Sequence, residues 1–405
     1  GDAGREVDAE VPLPRDPPVD PGPDARPSDD PEAGDWEDDP GLDPDAACCE
    51  PIGPPTDIRV GEPARGGVAI AWNGDGWGVL YTLPSDGAGM DGTTAFQALD
   101  RDGRLVGGLR RYEVRAAGAD LEWADGRFAA LVTTEGGGPQ ETAIALMDRR
   151  GVVDAGWTDL EVGGLGATVA RLAHRDRWVA VSAYGGVPVE AVEIDARAQI
   201  VSRATVDPAG SARGAVVGLK SRIVVFFPGF SDGEATIFAR ALTTPIAESD
   251  SPRVELIRHR GDEASMAAAR LRDRAVLIAT HGIGATDWGT FSSLDPFTGE
   301  FDAREIALAP AVTLRRPHDA IGLDGPGLVA ACFGVRAGDP EDSWIELRVF
   351  RPDGEEAAGA VRVTDIDEAI AIFPCAVGSD GERIFVAWQA ESAGLVRVQG
   401  FRLRR

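Results

Sequence analysis

The stretch Val68-Ala-Ile-Ala-Trp-Asn-Gly-Asp-Gly-Trp-Gly-Val-Leu-Tyr-Thr82 joins a short segment of small apolar residues, a Gly-Asp-Gly turn and a longer apolar run. The run Trp77–Thr82 is short, β-branched and aromatic, and lacks the polar alternation of a half-exposed strand. It is read as a strand buried on both faces. Gly and Asp tolerate positive φ, so Asn73–Gly76 closes a tight hairpin. The small side chains of Val68–Ala71 suit a crowded position in the middle of a fold.

The same unit recurs. Phe128–Thr133, Trp178–Ala183, Ile223–Phe227, Ala275–Thr280, Leu328–Phe333 and Ile384–Trp388 repeat the apolar run, with starts 51, 50, 45, 52, 53 and 56 residues apart. A turn precedes each, as in Ala124-Asp-Gly-Arg127 and Ser379-Asp-Gly-Glu382. A second turn follows later in the unit, as in Asp100-Arg-Asp-Gly103, Asp148-Arg-Arg-Gly151 and Arg351-Pro-Asp-Gly354, flanked by alternating strands such as Glu346-Leu-Arg-Val-Phe350. Self-similarity at this period marks a repeat architecture. Four antiparallel strands per unit make one propeller blade. The reading is all-β: a seven-bladed β-propeller of four-stranded antiparallel blades over residues 51–405.

The seventh unit stops at Arg405, where its second turn is due. Thr56-Asp-Ile-Arg-Val60 resembles the fourth strands Arg111-Tyr-Glu-Val114 and Ala360-Val-Arg-Val363. An N-terminal strand over 56–61 is therefore expected to complete the last blade and cover its bare edge.

Residues 1–50 differ in kind. They hold 17 Asp/Glu and 3 Arg, a net −14 out of −27 for the chain, and show no period of strand or helix. Such a segment buries too little apolar surface to offset ordering entropy, so 1–50 is read as a disordered acidic Pro/Asp/Gly-rich tether. The rest carries −13. An acidic body repels phosphate backbones and anionic lipid, so no nucleic-acid partner is expected. No apolar run is long enough to span a bilayer. The start at Gly1 rather than Met is read as a processed or trimmed end, and a monomer is expected.

The four cysteines are Cys48, Cys49, Cys332 and Cys375. No Cys-x-x-Cys is present, which argues against zinc, and the four allow three pairings. One or two disulfides in an extracytoplasmic setting are expected. The alternative is that Cys332 and Cys375 are small buried apolar residues.

Motifs of chemistry are sparse. His174, His259, His281 and His318 fall in different units with no His-x-x-x-His pair, and no Gly-x-Ser-x-Gly marks a nucleophile. Asp100-x-Asp102-Gly lacks the closing Glu of a calcium loop and reads as a hairpin. The cluster Asp339-Pro-Glu-Asp342 is acidic enough for a weak calcium contact. No catalytic residue, cofactor or metal site is assigned.

The connectors between second and third strands are more informative: 83–93, 134–141, 184–189, 228–235, 281–290, 334–343 and 389–394. All open on one face. They carry Tyr184, Phe230, His281, Trp288 and Trp344, with Asp342 beside them. Loops on a rigid scaffold are where recognition sits, and aromatics beside Asp suit sugar stacking or a protein hot spot. The competing reading is that Trp288 and Trp344 start third strands and pack between blades.

The roughly 50-residue unit, the strand–Asp-Gly–strand core, the hairpin Ala98-Leu-Asp-Arg-Asp-Gly-Arg-Leu-Val-Gly107 and the acidic leader resemble the seven-bladed β-propellers. More narrowly, the chain looks like repeat propellers of secreted bacterial lipoproteins. That resemblance implies export to the cell envelope or beyond, and a lipid anchor ahead of residue 1. Trp-Asp repeats, sialidase boxes and quinoprotein Trp motifs are absent. The resemblance supplies no catalytic residue.

The expected function is that of an exported, tail-tethered binding or scaffold propeller, recognising an envelope or extracellular protein or glycan through one loop face. The alternative is a polysaccharide hydrolase or lyase, which needs paired carboxylates about 5–10 Å apart. Asp91, Asp232, Asp287 and Asp342 lie on the connectors, but their spacing selects no pair. Two convergent buried carboxylates in the central funnel would favour the enzyme. A purely structural spacer is the third reading.

Overall fold

A computed structural model describes residues 47–59, 67–83, 92–116, 118–133, 142–162, 167–172, 177–182, 188–208, 214–220, 222–232, 234–243, 245–246, 252–259, 264–283, 286–296, 298–306, 313–337, 343–364, 375–390 and 395–404. They belong to one compact unit, Gly41–Arg405. Among the described residues there is no helix, and none long and apolar enough to cross a membrane.

The chain enters through β1 (Cys49–Pro51) and β2 (Thr56–Arg59). The first blade is β3 (Val68–Trp72), β4 (Gly76–Thr82), β5 (Gly92–Asp100) and β6 (Leu105–Ala116). The second is β7 (Gly118–Ala124), β8 (Arg127–Thr133), β9 (Thr142–Met147) and β10 (Thr158–Asp159). The third is β11 (Thr168–Leu172), β12 (Arg177–Ser182), β13 (Val189–Asp195) and β14 (Ile200–Asp207). The fourth is β15 (Ala215–Gly218), β16 (Arg222–Ser231), β17 (Glu234–Thr243) and β18 (Val254–His259). The fifth is β19 (Ala264–Leu271), β20 (Arg274–Ile283), β21 (Thr286–Leu294) and β22 (Phe301–Ile306). The sixth is β23 (Thr313–Leu323), β24 (Leu328–Ala337), β25 (Ser343–Phe350) and β26 (Val361–Arg362). The seventh has β27 (Ala376–Ser379), β28 (Arg383–Ala390) and β29 (Leu395–Leu403). Every ladder is antiparallel in sequence order, and each inner strand packs on the next until β27 returns to β3. The expected seven four-stranded blades are all present.

The seven apolar runs are the second strands, and their burial explains their composition. In β4, Trp77, Val79 and Tyr81 face the seventh blade, while Leu80 faces the second. Both sides of the strand meet a neighbour, so both must be apolar. The core is accordingly not central but divided among seven clusters, one at each joint between blades.

Small inner strands have an equally local cause. A Cβ on Gly218 would stand 1.9 Å from the Arg171 carbonyl oxygen of the preceding blade, and one on Gly322 would stand 1.8 Å from that of Arg270. Backbones touch there, and no side chain fits between them.

The second turns are built by aspartate. Asp100 Oδ1 accepts the amides of Asp102 and Arg104 at 2.9 and 2.8 Å, Asp148 Oδ1 those of Arg150 and Val152, and Asp195 Oδ1 those of Arg197 and Gln199. The turn then closes on Gly103, Gly151 or Ala198 at positive φ. The Asp100–Gly103 segment is thus a side-chain-capped hairpin.

Closure follows the expected route and goes further. β2 pairs with Leu395–Val398 of β29, completing the last blade; residues 60 and 61 of the expected strand lie outside the described residues. β1 pairs with Phe401–Leu403 of the same strand. The boundary expected after residue 50 therefore falls earlier. Ala47 bridges Gly359 of the sixth blade, and Cys48 and Cys49, expected in the tether, are buried in the joint between blades six and seven. Ordering these residues is offset by burial of their side chains and by ladder bonds to β29. Of the cysteines, Cys332 and Cys375 form a disulfide, whereas Cys48 and Cys49 are thiols.

Candidate functional site

The two rims differ. The rim of the first and second turns is braced by ion pairs across blade joints: Arg383–Asp102 at 3.1 Å, Lys220–Asp273 at 3.3 Å, Arg304–Glu355 at 2.7 Å, and Arg149–Asp75. Exposed pairs of this sort contribute at most about 1 kcal/mol each, but they leave these charges engaged within the chain. A cleft of about 580 Å³ on this rim is lined by Arg177, Glu193, Asp195, Arg197, Val201 and Pro245. Its buried carboxylate is spoken for: Glu193 Oε2 accepts Ser202 Oγ and the Ile246 amide, both at 2.9 Å.

The opposite rim carries the connectors between second and third strands. The sequence reading made all of them loops. In blades four to six the ladder instead continues upward: β16, β20 and β24 run 10 residues each, against 7, 7, 6 and 8 for β4, β8, β12 and β28. Residues 228–231 and 234–235 are strand, as are 281–283 and 286–290, and 334–337 with 343. Three consecutive blades thus raise hairpins above the rim. The physical reason is register. Two residues separate the paired Ser231 and Glu234, with Asp232 at φ 52, which is the backbone that a two-residue hairpin needs.

The structure distributes the expected recognition residues along these hairpins. Phe230 stands one rung below the β16–β17 turn, opposite Ala235, and is 58% exposed. His281 and Trp288 are direct cross-strand partners in β20–β21. Trp344 pairs with Val335 and is half-buried against the cluster of blades five and six. Its indole N–H donates to Glu346 Oε1 at 2.9 Å, and the Arg362 guanidinium lies 4.3 Å from its ring. Tyr184, Asp342, Asp91 and His174 lie outside the described residues. Asp232 is exposed at its turn and pairs with Arg258 at 3.7 Å. Asp287 sits beside Trp288 on β21, paired in register with Gly282. His259 ends β18, and His318 occupies the bulge of β23 against Gly334.

Sequence reasoning missed the carboxylates of the inner strands. Asp120 and Glu122 lie on β7, and Asp319 on β23. Asp120 precedes the end of its strand by four residues, as Asp319 does. Asp120 Oδ1 accepts the Leu121 amide at 2.8 Å, and Oδ2 accepts that of Val169 in the next blade at 2.7 Å. Asp319 Oδ1 accepts the Ala320 amide at 2.8 Å, and Oδ2 that of Val377 in the next blade at 2.9 Å. Removal from water among the inner strands pushes Asp319 up to about 7, helped by the charge of Asp120. The same desolvation raises Asp120 and takes Glu122 to about 8, with Asp120 adding to it and the Arg171 amide and the Arg171 and Arg270 charges opposing it. The available signal was an acidic residue four positions before the end of the inner strand in both blades, Asp120 in Gly118–Ala124 and Asp319 in Thr313–Leu323.

No protein-family model matches the chain, and no curated protein matches it in sequence. In fold it is similar to many solved chains. One is the BP39L lectin from Burkholderia pseudomallei, with a TM-score of 0.58 and 11% identity over 82% of this chain and 95% of that one. At that identity the likeness extends to the fold alone: this chain is built as a seven-bladed β-propeller, as its own seven sheets require.

Proposed function

We propose that the protein is a non-enzymatic recognition propeller that binds a glycan, or failing that a protein, of the cell envelope or matrix through the raised hairpins of blades four to six. The observation that carries this reading is Phe230, an aromatic ring 58% exposed on a rigid ladder next to a two-residue turn. Phe230 is the most exposed large hydrophobic side chain among the described residues, and an exposed ring on a hairpin suits stacking against a sugar or a partner's side chain. The lectin of similar fold supports a glycan as the first ligand class to test. Export, with residues 1–46 as a tether, is supported by the Cys332–Cys375 disulfide.

The test is binding of the labelled chain to envelope material, before and after periodate oxidation of its sugars. Loss on periodate treatment supports a glycan. Survival of periodate with loss on protease treatment points to a protein. No binding in either arm sinks the recognition reading.

A polysaccharide hydrolase or lyase is the second reading: burial on the inner strand pushes the Glu122 carboxyl up to about 8, the direction that suits a general acid. Against it, Asp120 and Asp319 already spend both oxygens on amides that join blades. New reducing ends or unsaturated sugar ends, lost in Glu122→Gln, would replace the binding reading.

A further inference from the structure

All four cysteines of the chain belong to one buried cluster, at the joint between blades six and seven. Cys332 on β24 and Cys375 just ahead of β27 cross that joint as a disulfide, with Cα atoms 6.1 Å apart. On its outer side the joint is crossed again by residues 47–51. The Cys48 amide donates to the Gly359 carbonyl at 2.7 Å in blade six, and the Arg404 amide donates to the Cys48 carbonyl at 3.0 Å, past the end of β29. Cys48 and Cys49 are 0% and 2% exposed.

We propose that Cys48 and Cys49 are a modification site: an oxidisable vicinal pair that closes into a second disulfide and stiffens the N-terminal clip where it crosses this joint. Three observations carry it. First, with Cys332–Cys375 formed, the one intramolecular partner left to Cys48 is Cys49. Second, adjacent side chains of an extended strand point to opposite faces, which keeps their sulfurs apart. Here the chain bends at Cys48, ahead of β1, and both side chains are buried in the same cluster, the Cys48 thiol donating to the Leu347 carbonyl at 3.9 Å. Third, a chain that has formed Cys332–Cys375 has met an oxidant, so its remaining thiols meet the same one.

The contact with Cys48 and the loss of water push the Cys49 thiol up, so Cys49 in the docked clip is protonated and inert. Oxidation therefore occurs while β1 is off its ladder, during folding or local opening. The oxidant is a small-molecule disulfide. The thiolate of one cysteine attacks it, forming a mixed disulfide and releasing one small thiolate. The thiolate of the other then attacks the protein-bound sulfur, forming the Cys48–Cys49 bond and releasing the second small thiolate. Two electrons pass to the external disulfide, and the two protons lost by the cysteines are taken up by the released thiolates. The closed ring fixes the bend that the clip already has. In the reduced pair that bend is held by packing and by the backbone hydrogen bonds of Cys48 to Gly359 and Arg404.

The test uses the full chain, equilibrated with an excess of oxidised over reduced glutathione, then denatured in guanidinium with N-ethylmaleimide and mapped by mass spectrometry. The expected result is no maleimide on any cysteine. The peptide containing Cys48 and Cys49 should be two hydrogens lighter than its reduced form, and both residues should become labelled after reduction. Maleimide or glutathione on Cys48 or Cys49, or a link from either to Cys332 or Cys375, overturns the proposal. The variant Cys332→Ala/Cys375→Ala should still form the vicinal bond. If that variant does not fold, the map of the unaltered chain decides.

Discussion

Asp319 stands to Val377 as Asp120 stands to Val169: in each pair an inner-strand carboxylate accepts the amide of the next blade's inner strand, at 2.9 and 2.7 Å. Inner strands of neighbouring blades pack side by side without a ladder between them, so amides on those edges need another acceptor. Each aspartate also takes the amide of the residue after it, and so holds two strands with one side chain.

Removing one of these carboxylates should open a joint. Asp319→Ala deprives the amides of Ala320 and Val377 of their acceptor, and an orphaned buried donor costs about 1–3 kcal/mol. A loss of about 2 kcal/mol or more in urea unfolding is expected, with a smaller loss for Asp319→Asn, which keeps one acceptor oxygen. A change below about 0.5 kcal/mol would mean that the joint does not depend on the carboxylate.

The same groups set a pH dependence. Asp319 rises from 3.8 to about 7 on folding, and Glu122 from 4.5 to about 8, both chiefly by desolvation. Between those values the folded chain holds protons that the unfolded chain releases, so stability falls as pH rises through the window. Their contribution is complete below about pH 4 and gone above about pH 8. Melting temperatures of the parent and of Glu122→Gln/Asp319→Asn should converge in acid and diverge in base, with the variant less sensitive to pH. Parallel profiles would remove these protons from the account.

Closure makes the most demanding prediction. A chain beginning at residue 60 lacks β1 and β2, which bares the edge of β29 and removes Ile58, Cys48 and Cys49 from two joints. It should be insoluble or melt far below the parent. A chain beginning at Gly41 keeps the compact unit and should melt with it. Equal melting of the shorter chain would refute closure by the N-terminal strands.

Gly322 tests the close approach of inner strands. A methyl group there meets the Arg270 carbonyl oxygen, which stands 1.8 Å from the Cβ position. Backbone cannot yield as a flexible side chain does, and overpacking costs about 1–3 kcal/mol. Gly322→Ala should lower stability by that order in chemical denaturation. An unchanged midpoint would show that the joint can spread.

Phe230→Ala separates recognition from stability. The ring is 58% exposed, so its removal should leave melting within about 0.5 kcal/mol of the parent. Binding to envelope material should fall by about tenfold or more if the ring is an interface anchor. Binding that is untouched would move the site off this hairpin.

The fold was legible because each blade repeats one physical problem. A second strand wedged between two blades must be apolar on both faces, and a hairpin into it must tolerate positive φ, so Trp77–Thr82 and its six counterparts stand out in sequence. The turn Asp100–Gly103 was equally readable, since its aspartate acts on residues two and four positions away. The site was less legible. Whether 228–235 forms a loop or a ladder depends on pairing across a two-residue turn, and the apolar residues around it suit either.

Local chemistry, repeated seven times, thus determined the number of blades, their strand order and the need for an N-terminal strand to finish the last one. Tertiary structure decided the rest: the height of the hairpins that carry Phe230, His281 and Trp288, the pairing of Asp120 and Asp319 with amides of the next blade, and the gathering of Cys48, Cys49, Cys332 and Cys375 at one joint. The carboxylate and cysteine contacts join residues tens to hundreds of positions apart. Stacking of each blade on the next brings the carboxylates to their amides, closure of the ring brings Cys48 and Cys49 to Cys332 and Cys375, and no pattern within one blade states which side chains then meet.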